Sequence, residues 1–129
     1  MVELSKVKNS QRLADLGSGD GRISIEFAKA GAIVDGYELD EKLIDLSQEI
    51  INKESLSDKI KIHKANFWDI DFSPFDIITI YPMPDIMQKL EGKIIKEVKS
   101  NSKIITNYYE FPNLKYKTKK NNIYLYVND

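Results

Sequence analysis

Leu13-Ala14-Asp15-Leu16-Gly17-Ser18-Gly19-Asp20-Gly21-Arg22, followed by Glu38-Leu39-Asp40, decides the fold of this chain. The apolar residues before Gly17 suit a buried strand. Three glycines at alternate positions let the backbone turn sharply with φ > 0 and come close to a ligand. A second parallel strand should end at Glu38, about twenty residues on, where a carboxylate can take both hydroxyls of a ribose. Strand, glycine turn, helix, strand and acid in this order build a nucleoside-binding cleft.

The glycine spacing separates two ligand chemistries. A dinucleotide fingerprint has the form G-x-G-x-x-G, with its third glycine where the helix packs on the strand. Here the glycines stand at 17, 19 and 21, and Arg22 fills the position that must be small. Asp20 also places a negative charge inside the turn, against any pyrophosphate. A cationic sulfonium with an amino-acid tail tolerates that charge, and Asp15 at the strand end can hold the tail's ammonium, directly or through water. The stretch resembles motif I of the class I S-adenosylmethionine-dependent methyltransferases. The resemblance implies that Glu38 is their ribose-binding acid, with Ser18 and Leu39 beside the same ligand.

The chain has 129 residues, which suits one domain. Its net charge of −1 gives no global field favouring nucleic acid. With no cysteine, disulfides, thiolate zinc sites and a cysteine nucleophile are excluded. No apolar run is long enough to span a bilayer and no signal peptide precedes the first strand, so the cytoplasm is the expected location.

Strand and helix patterns alternate, as in a doubly wound, mostly parallel α/β sheet covered on both faces. Strands are expected at 12–16, 32–38, 60–64, 75–80 and 103–107. The first helix runs from near Gly21 to Gly31 and turns Ile23, Ile25, Phe27 and Ala28 inward. Asp40 reads as the N-cap of a helix carrying Leu43, Ile44, Leu46, Ile50 and Ile51. Pro82 and Pro84 end the fourth strand. A helix from about Asp85 carries Ile86, Leu90, Ile94, Ile95 and Val98. Residues 66–74 connect with a short helical turn, and residues 2–10 are short and polar. The tail alternates in 116–118, turns at Asn121-Asn122 and resumes at 123–127, a hairpin signal.

Three segments follow strand ends, where side chains reach the ligand crevice of an open α/β sheet. Tyr81-Pro82-Met83-Pro84 stands where a methyl acceptor should enter. Displacement at a sulfonium needs alignment and little else, so no metal is expected; prolines make a stiff wall, and Tyr81 can border the transferred methyl. Asn107-Tyr108-Tyr109-Glu110-Phe111 fits a far wall or ordinary strand-end packing. Asn66-Phe67-Trp68 follows the third strand; the resemblance implies that Asn66 meets the adenine amino group, while Phe67 supplies a backbone amide and packs on the ring. Trp68 suits the core equally well. His63 lies inside a strand and reads as structural. Lys115, Lys117, Lys119 and Lys120 fit the solvated face of an edge strand, which deters aggregation, or a patch for nucleic acid.

The pattern extends further. Asp15 to Ile23, then Gly36-Tyr37-Glu38-Leu39-Asp40, Ala65-Asn66-Phe67-Trp68 and Ile123-Tyr124-Leu125-Tyr126-Val127 together resemble the small archaeal protein-lysine methyltransferases and their mitochondrial relatives. The resemblance implies a seven-stranded sheet with a C-terminal hairpin, a single S-adenosyl-L-methionine-binding domain over 1–129, and methyl transfer to lysine side chains of proteins. Its implied cofactor residues are Asp15, Gly17, Ser18, Gly19, Glu38, Leu39, Asn66 and Phe67. The family's helical segment before the first strand, with its Thr/Ser-Pro stretch, has no counterpart in the eleven residues here. A more open cofactor site, or one closed by a second protein molecule, is therefore expected. RNA or a small molecule as acceptor, and a cofactor-binding module without catalysis, are the alternatives. The oligomeric state is left open.

Overall fold

The computed structural model describes residues 1–81 and 84–129. Its strands are β1 (Arg12–Leu16), β2 (Ile33–Glu38), β3 (Ile60–Lys64), β4 (Ile77–Ile80), β5 (Lys103–Asn107), β6 (Thr118–Lys120) and β7 (Ile123–Val127). They form one sheet in the order β3-β2-β1-β4-β5-β7-β6. The first five are parallel, and β7 runs antiparallel between β5 and β6. Four helices complete the fold: α1 (Val2–Ser5), α2 (Arg22–Lys29), α3 (Glu41–Lys53) and α4 (Met87–Glu97). Among the described residues, no helix is long and apolar enough to cross a membrane.

The central strands are apolar on consecutive residues because both faces of the sheet are covered. Successive side chains feed opposite cores. Leu13, Ile77 and Ile105 join Phe27, Val34 and Ile51 on one face. Ala14, Ile78 and Ile104 join Phe72, Leu90 and Tyr126 on the other. Strand order reverses its winding between β1 and β4, and the crevice opens at their carboxyl ends, as the topology of such sheets requires.

Local chemistry sets the helix starts. Asp40 caps α3: its Oδ1 accepts the Lys42 N–H at 2.9 Å and the Leu43 N–H at 3.4 Å. Two expected core residues face out instead. Leu46 is 45% exposed, and Ser47 takes the buried place. A small residue is needed there, since a Cβ on Gly21 would lie only 3.1 Å from the Ser47 Cβ. Ile95 is 58% exposed, while Glu91 is turned inward with Leu90 and Ile94. Glu91 is inside because it binds backbone. Its carboxylate accepts the Asn113 and Leu114 N–H groups at 2.8 and 2.7 Å and the Asn113 side-chain amide at 2.8 Å. Burial raises its pKa, but these three donors outweigh that and hold it below the ordinary glutamate value.

The fourth strand is shorter than its apolar run, with Phe75 buried just outside it. Pro84–Ile86 forms a short 3-10 turn before α4; Pro82 and Met83, part of the expected acceptor wall, lie outside the described residues. The N-terminal stretch is less polar in its contacts than in its composition. Met1, Val2, Leu4 and Val7 pack on the core beside α2.

Candidate functional site

A cleft of about 770 Å³ opens at the carboxyl ends of β1, β2 and β4. All nine residues singled out in the sequence line it: Asp15, Gly17, Ser18, Gly19, Glu38, Leu39, Asn66, Phe67 and Tyr81. They arrive from four strand ends that the sheet order brings together.

The loop after β1 forms the floor. Gly17 and Gly19 have φ of +72° and +56°, left-handed values that side chains disfavour. The Gly17 and Ser18 N–H groups both donate to the Tyr37 carbonyl, at 2.9 and 3.1 Å. This anchors the loop to β2 and carries Ser18 against the sheet. Gly36 makes room for it, since a Cβ there would lie 3.0 Å from the Ser18 Cβ and 2.7 Å from Ile62 Cδ1.

Glu38 closes the loop from the end of β2. Its Oε1 accepts the Gly19 N–H at 2.9 Å, and its Oε2 accepts the Leu39 and Asp40 N–H groups at 2.9 and 3.0 Å. The carboxylate thus shapes the glycine turn while presenting its free lone pairs to the cleft. Two acceptor oxygens beside bare backbone suit a vicinal diol.

Asp15 lies beneath, fully buried. Its Oδ2 accepts the Ser24 hydroxyl at 2.7 Å and its Oδ1 accepts the Thr79 hydroxyl at 3.0 Å. Burial pushes its pKa up; the Ser24 and Thr79 hydrogen bonds pull against it without cancelling it. A cation in the cleft would offset that cost. Thr79 is a functional neighbour that the sequence reading passed over. It is the lone hydroxyl in an apolar central strand, a group that needs a partner when buried, and it is register-paired with Asp15.

The adenine side is built after β3. Asn66 Oδ1 accepts the Trp68 N–H at 3.0 Å and caps a 3-10 turn over Phe67–Asp69. One lone pair and the side-chain NH₂ are left for a ligand. Phe67 and Trp68 are both half-buried, pack against the core and line the cleft, so Trp68 does both jobs weighed for it. Tyr37 also borders the cleft; burial first, then the Asp35 carboxylate, pushes its phenol up to about 12, so it stays a neutral hydroxyl.

Tyr81 leaves β4 with its N–H donating to the Leu16 carbonyl at 3.1 Å and its side chain 68% exposed. Asn107 from β5 faces the same opening, whereas Phe111 is buried in the core. Met1 also lines the cleft, so the residues before β1 border a site expected to be more open. His63 lies elsewhere: Nε2 meets Asp35 Oδ1 at 2.8 Å and the ring stacks on Tyr37 at 5.1 Å. The hairpin strand β6, with Lys119 and Lys120, is a solvated edge.

The residues present fit an adenosyl sulfonium. Ser18 Oγ is buried, borders the cleft and has no hydrogen-bond partner among the described residues. A buried hydroxyl is expected to be partnered, and a ligand in this cleft would partner it. The sheet order, glycine loop and terminal carboxylate define a class I S-adenosylmethionine-dependent methyltransferase fold. Residues 15–118 match the ANTKMT methyltransferase domain, and the chain belongs to that family.

Among its relatives is a protein-lysine N-methyltransferase of Saccharolobus islandicus, 30% identical over 85% of this chain and 70% of the relative. An ATP synthase lysine N-methyltransferase of Homo sapiens is 34% identical over 78% of this chain but only 43% of its own length. The chain thus spans less than half of that longer relative. Among solved structures, an RNA methyltransferase from Salinibacter ruber in complex with S-adenosyl-L-homocysteine superposes with a TM-score of 0.93. That likeness covers 98% of this chain and 86% of that one at 23% identity, and shows a shared fold.

Proposed function

We propose that this protein binds S-adenosyl-L-methionine and transfers its methyl group to lysine side chains of proteins. The observation that carries the reading is the Glu38 carboxylate facing the cleft across the glycine loop, in a member of this family. When bound, the cofactor supplies an electrophilic methyl on a sulfonium. The chain's own residues hold and align. Glu38 takes the ribose hydroxyls, with Leu39 beside them. Gly17, Ser18 and Gly19 carry the backbone against the ligand, and the Ser18 hydroxyl gains its partner. Asp15 balances the positive end of the amino-acid tail, and Asn66 and Phe67 receive the adenine. Tyr81 borders the methyl and the incoming amine. Residues 1–129 act as a single cofactor-binding domain, and the cytoplasm is the proposed location.

The lysine acceptor draws its support from the two named lysine methyltransferases. The test offers a methyl-labelled donor to a protein mixture, an RNA pool and a metabolite extract. Label on lysine Nζ of protein is expected. Label in RNA alone, or in a metabolite alone, would overturn the acceptor; no turnover with intact cofactor binding would leave a binding module.

A further inference from the structure

Tyr108 holds a backbone that tyrosine rarely adopts. It stands one residue past the end of β5 with φ +72°, in the region glycine occupies without strain. Three hydrogen bonds fix it there. The Tyr108 N–H donates to the Asn122 carbonyl at 2.7 Å, and the Tyr109 N–H to the Asn107 carbonyl at 2.9 Å. The Thr106 hydroxyl donates to the Tyr109 carbonyl at 2.9 Å. The ring gains no burial in return, for Tyr108 is 64% exposed. Packing does not account for a strained residue that displays its side chain, and such outliers gather at ligand-contacting sites.

Its position supplies a reason. Ile80 and Thr106 are register partners, so Tyr81 and Asn107 leave adjacent strands side by side, and both line the cleft. Tyr81, Tyr108 and the 41%-exposed Tyr109 therefore form an open aromatic group at this mouth. Asp85 and Glu110, both exposed, lie on the same two connections. Aromatic faces and carboxylates suit a cation on an apolar stem, and disfavour a phosphate backbone. The chain's own lysines gather elsewhere: Lys103, at the opposite end of β5, has its ammonium discouraged by burial and by Lys8, Lys6 and Lys117 around it.

We propose that Tyr108 is a specificity-determining residue, which docks the lysine-bearing segment of a protein acceptor at the mouth of the cleft and is held left-handed to do so. The inference rests on the lysine-methylation reading and names the residue that selects its substrate.

The experiment compares wild type, Tyr108→Gly and Tyr108→Phe, with core histones as a lysine-rich probe and a labelled methyl donor. For Tyr108→Gly, KM for histones should rise about five-fold or more, while kcat and S-adenosyl-L-homocysteine affinity stay within about two-fold. Its Tm should hold or increase, because glycine accepts the backbone. Tyr108→Phe should keep the wild-type KM. An unchanged KM in Tyr108→Gly, a parallel loss of cofactor affinity, or a Tm drop of about 5 °C or more overturns the inference alone. A wild type that labels no histone overturns the lysine reading, and the inference with it.

Discussion

Two loops leave the carboxyl edge of the sheet, and each is tied by one glutamate through three N–H donors. At β1, Glu38 holds Gly19, Leu39 and Asp40. Beyond β5, Glu91 holds Asn113 and Leu114. Glu38 is open to the cleft, whereas Glu91 is buried. The left-handed residues differ too: glycines serve the first loop, a tyrosine the second. The same bonding pattern is therefore put to two uses. An open carboxylate can take on ligand hydroxyls, while a buried one only fastens its loop.

The largest expected effect lies at the open carboxylate. Glu38→Ala removes the diol acceptor and releases the Gly19 N–H. Cofactor affinity should fall by about 2–5 kcal/mol, the worth of one or two charge-assisted hydrogen bonds. Calorimetric titration with S-adenosyl-L-homocysteine reads this directly. An unchanged affinity would erase the distinction between the two glutamates. Glu91→Leu should act on stability instead, costing on the order of 2–4 kcal/mol as three donors lose their acceptor. Its sign with pH is fixed by the depressed pKa. The stabilisation is present above the usual glutamate value of 4.5 and is lost as pH falls through the lower folded value. Acid titration of the wild type should show that loss, and the variant should lack it.

The first loop was legible and the second was not, for a physical reason. Glycine at alternate positions announces φ > 0 because little else tolerates it, and the acid at the end of the next strand follows from parallel pairing. Nothing in Asn107-Tyr108-Tyr109 announces a left-handed turn, since tertiary bonds to Asn122 impose it. Leu46 and Ile95 were misplaced on the same account. Helical spacing marks a face, but a close glycine loop demanded Ser47, and a loop's backbone demanded Glu91. Thr79 was readable in principle, as a hydroxyl within an apolar strand. All nine proposed site residues reach one cleft because strand-end position fixes them, independently of side-chain detail.

A third substitution asks whether the first loop also carries strain in its charge. Asp15 has a raised pKa, so the fold holds its proton more tightly than the unfolded chain does. That contribution is complete below the usual aspartate value of 3.8 and disappears as pH rises through the folded value. Near neutrality the buried carboxylate is a burden. Asp15→Asn removes the charge and keeps both hydroxyl partners, since Ser24 and Thr79 can each donate or accept. Without cofactor, stability at pH 7 should rise by on the order of 1–2 kcal/mol. The advantage over wild type should vanish in acid, and cofactor affinity should decline. A variant less stable than wild type at pH 7 would show the charge to be compensated.

The smallest effects test the backbone itself, by exchanging the two loops' residue types. Gly19→Ala adds a Cβ whose nearest neighbour, the Gly17 carbonyl oxygen, is 4.0 Å away. Only the left-handed backbone resists it, at about 1–2 kcal/mol. Reduced entropy of the unfolded chain returns about 0.4–1 kcal/mol, so a net loss of about 0.5–1 kcal/mol is expected. Tyr108→Gly runs the same sum backwards, because its ring is mostly exposed and little packing is forfeited. Relief of the left-handed backbone should exceed the added unfolded-state entropy, giving a gain of about 0.5–1 kcal/mol. Denaturant melts of both variants should therefore shift in opposite directions. If both shifted toward lower stability, the tyrosine would be holding its loop together through its side chain, and the two strand ends would share one role.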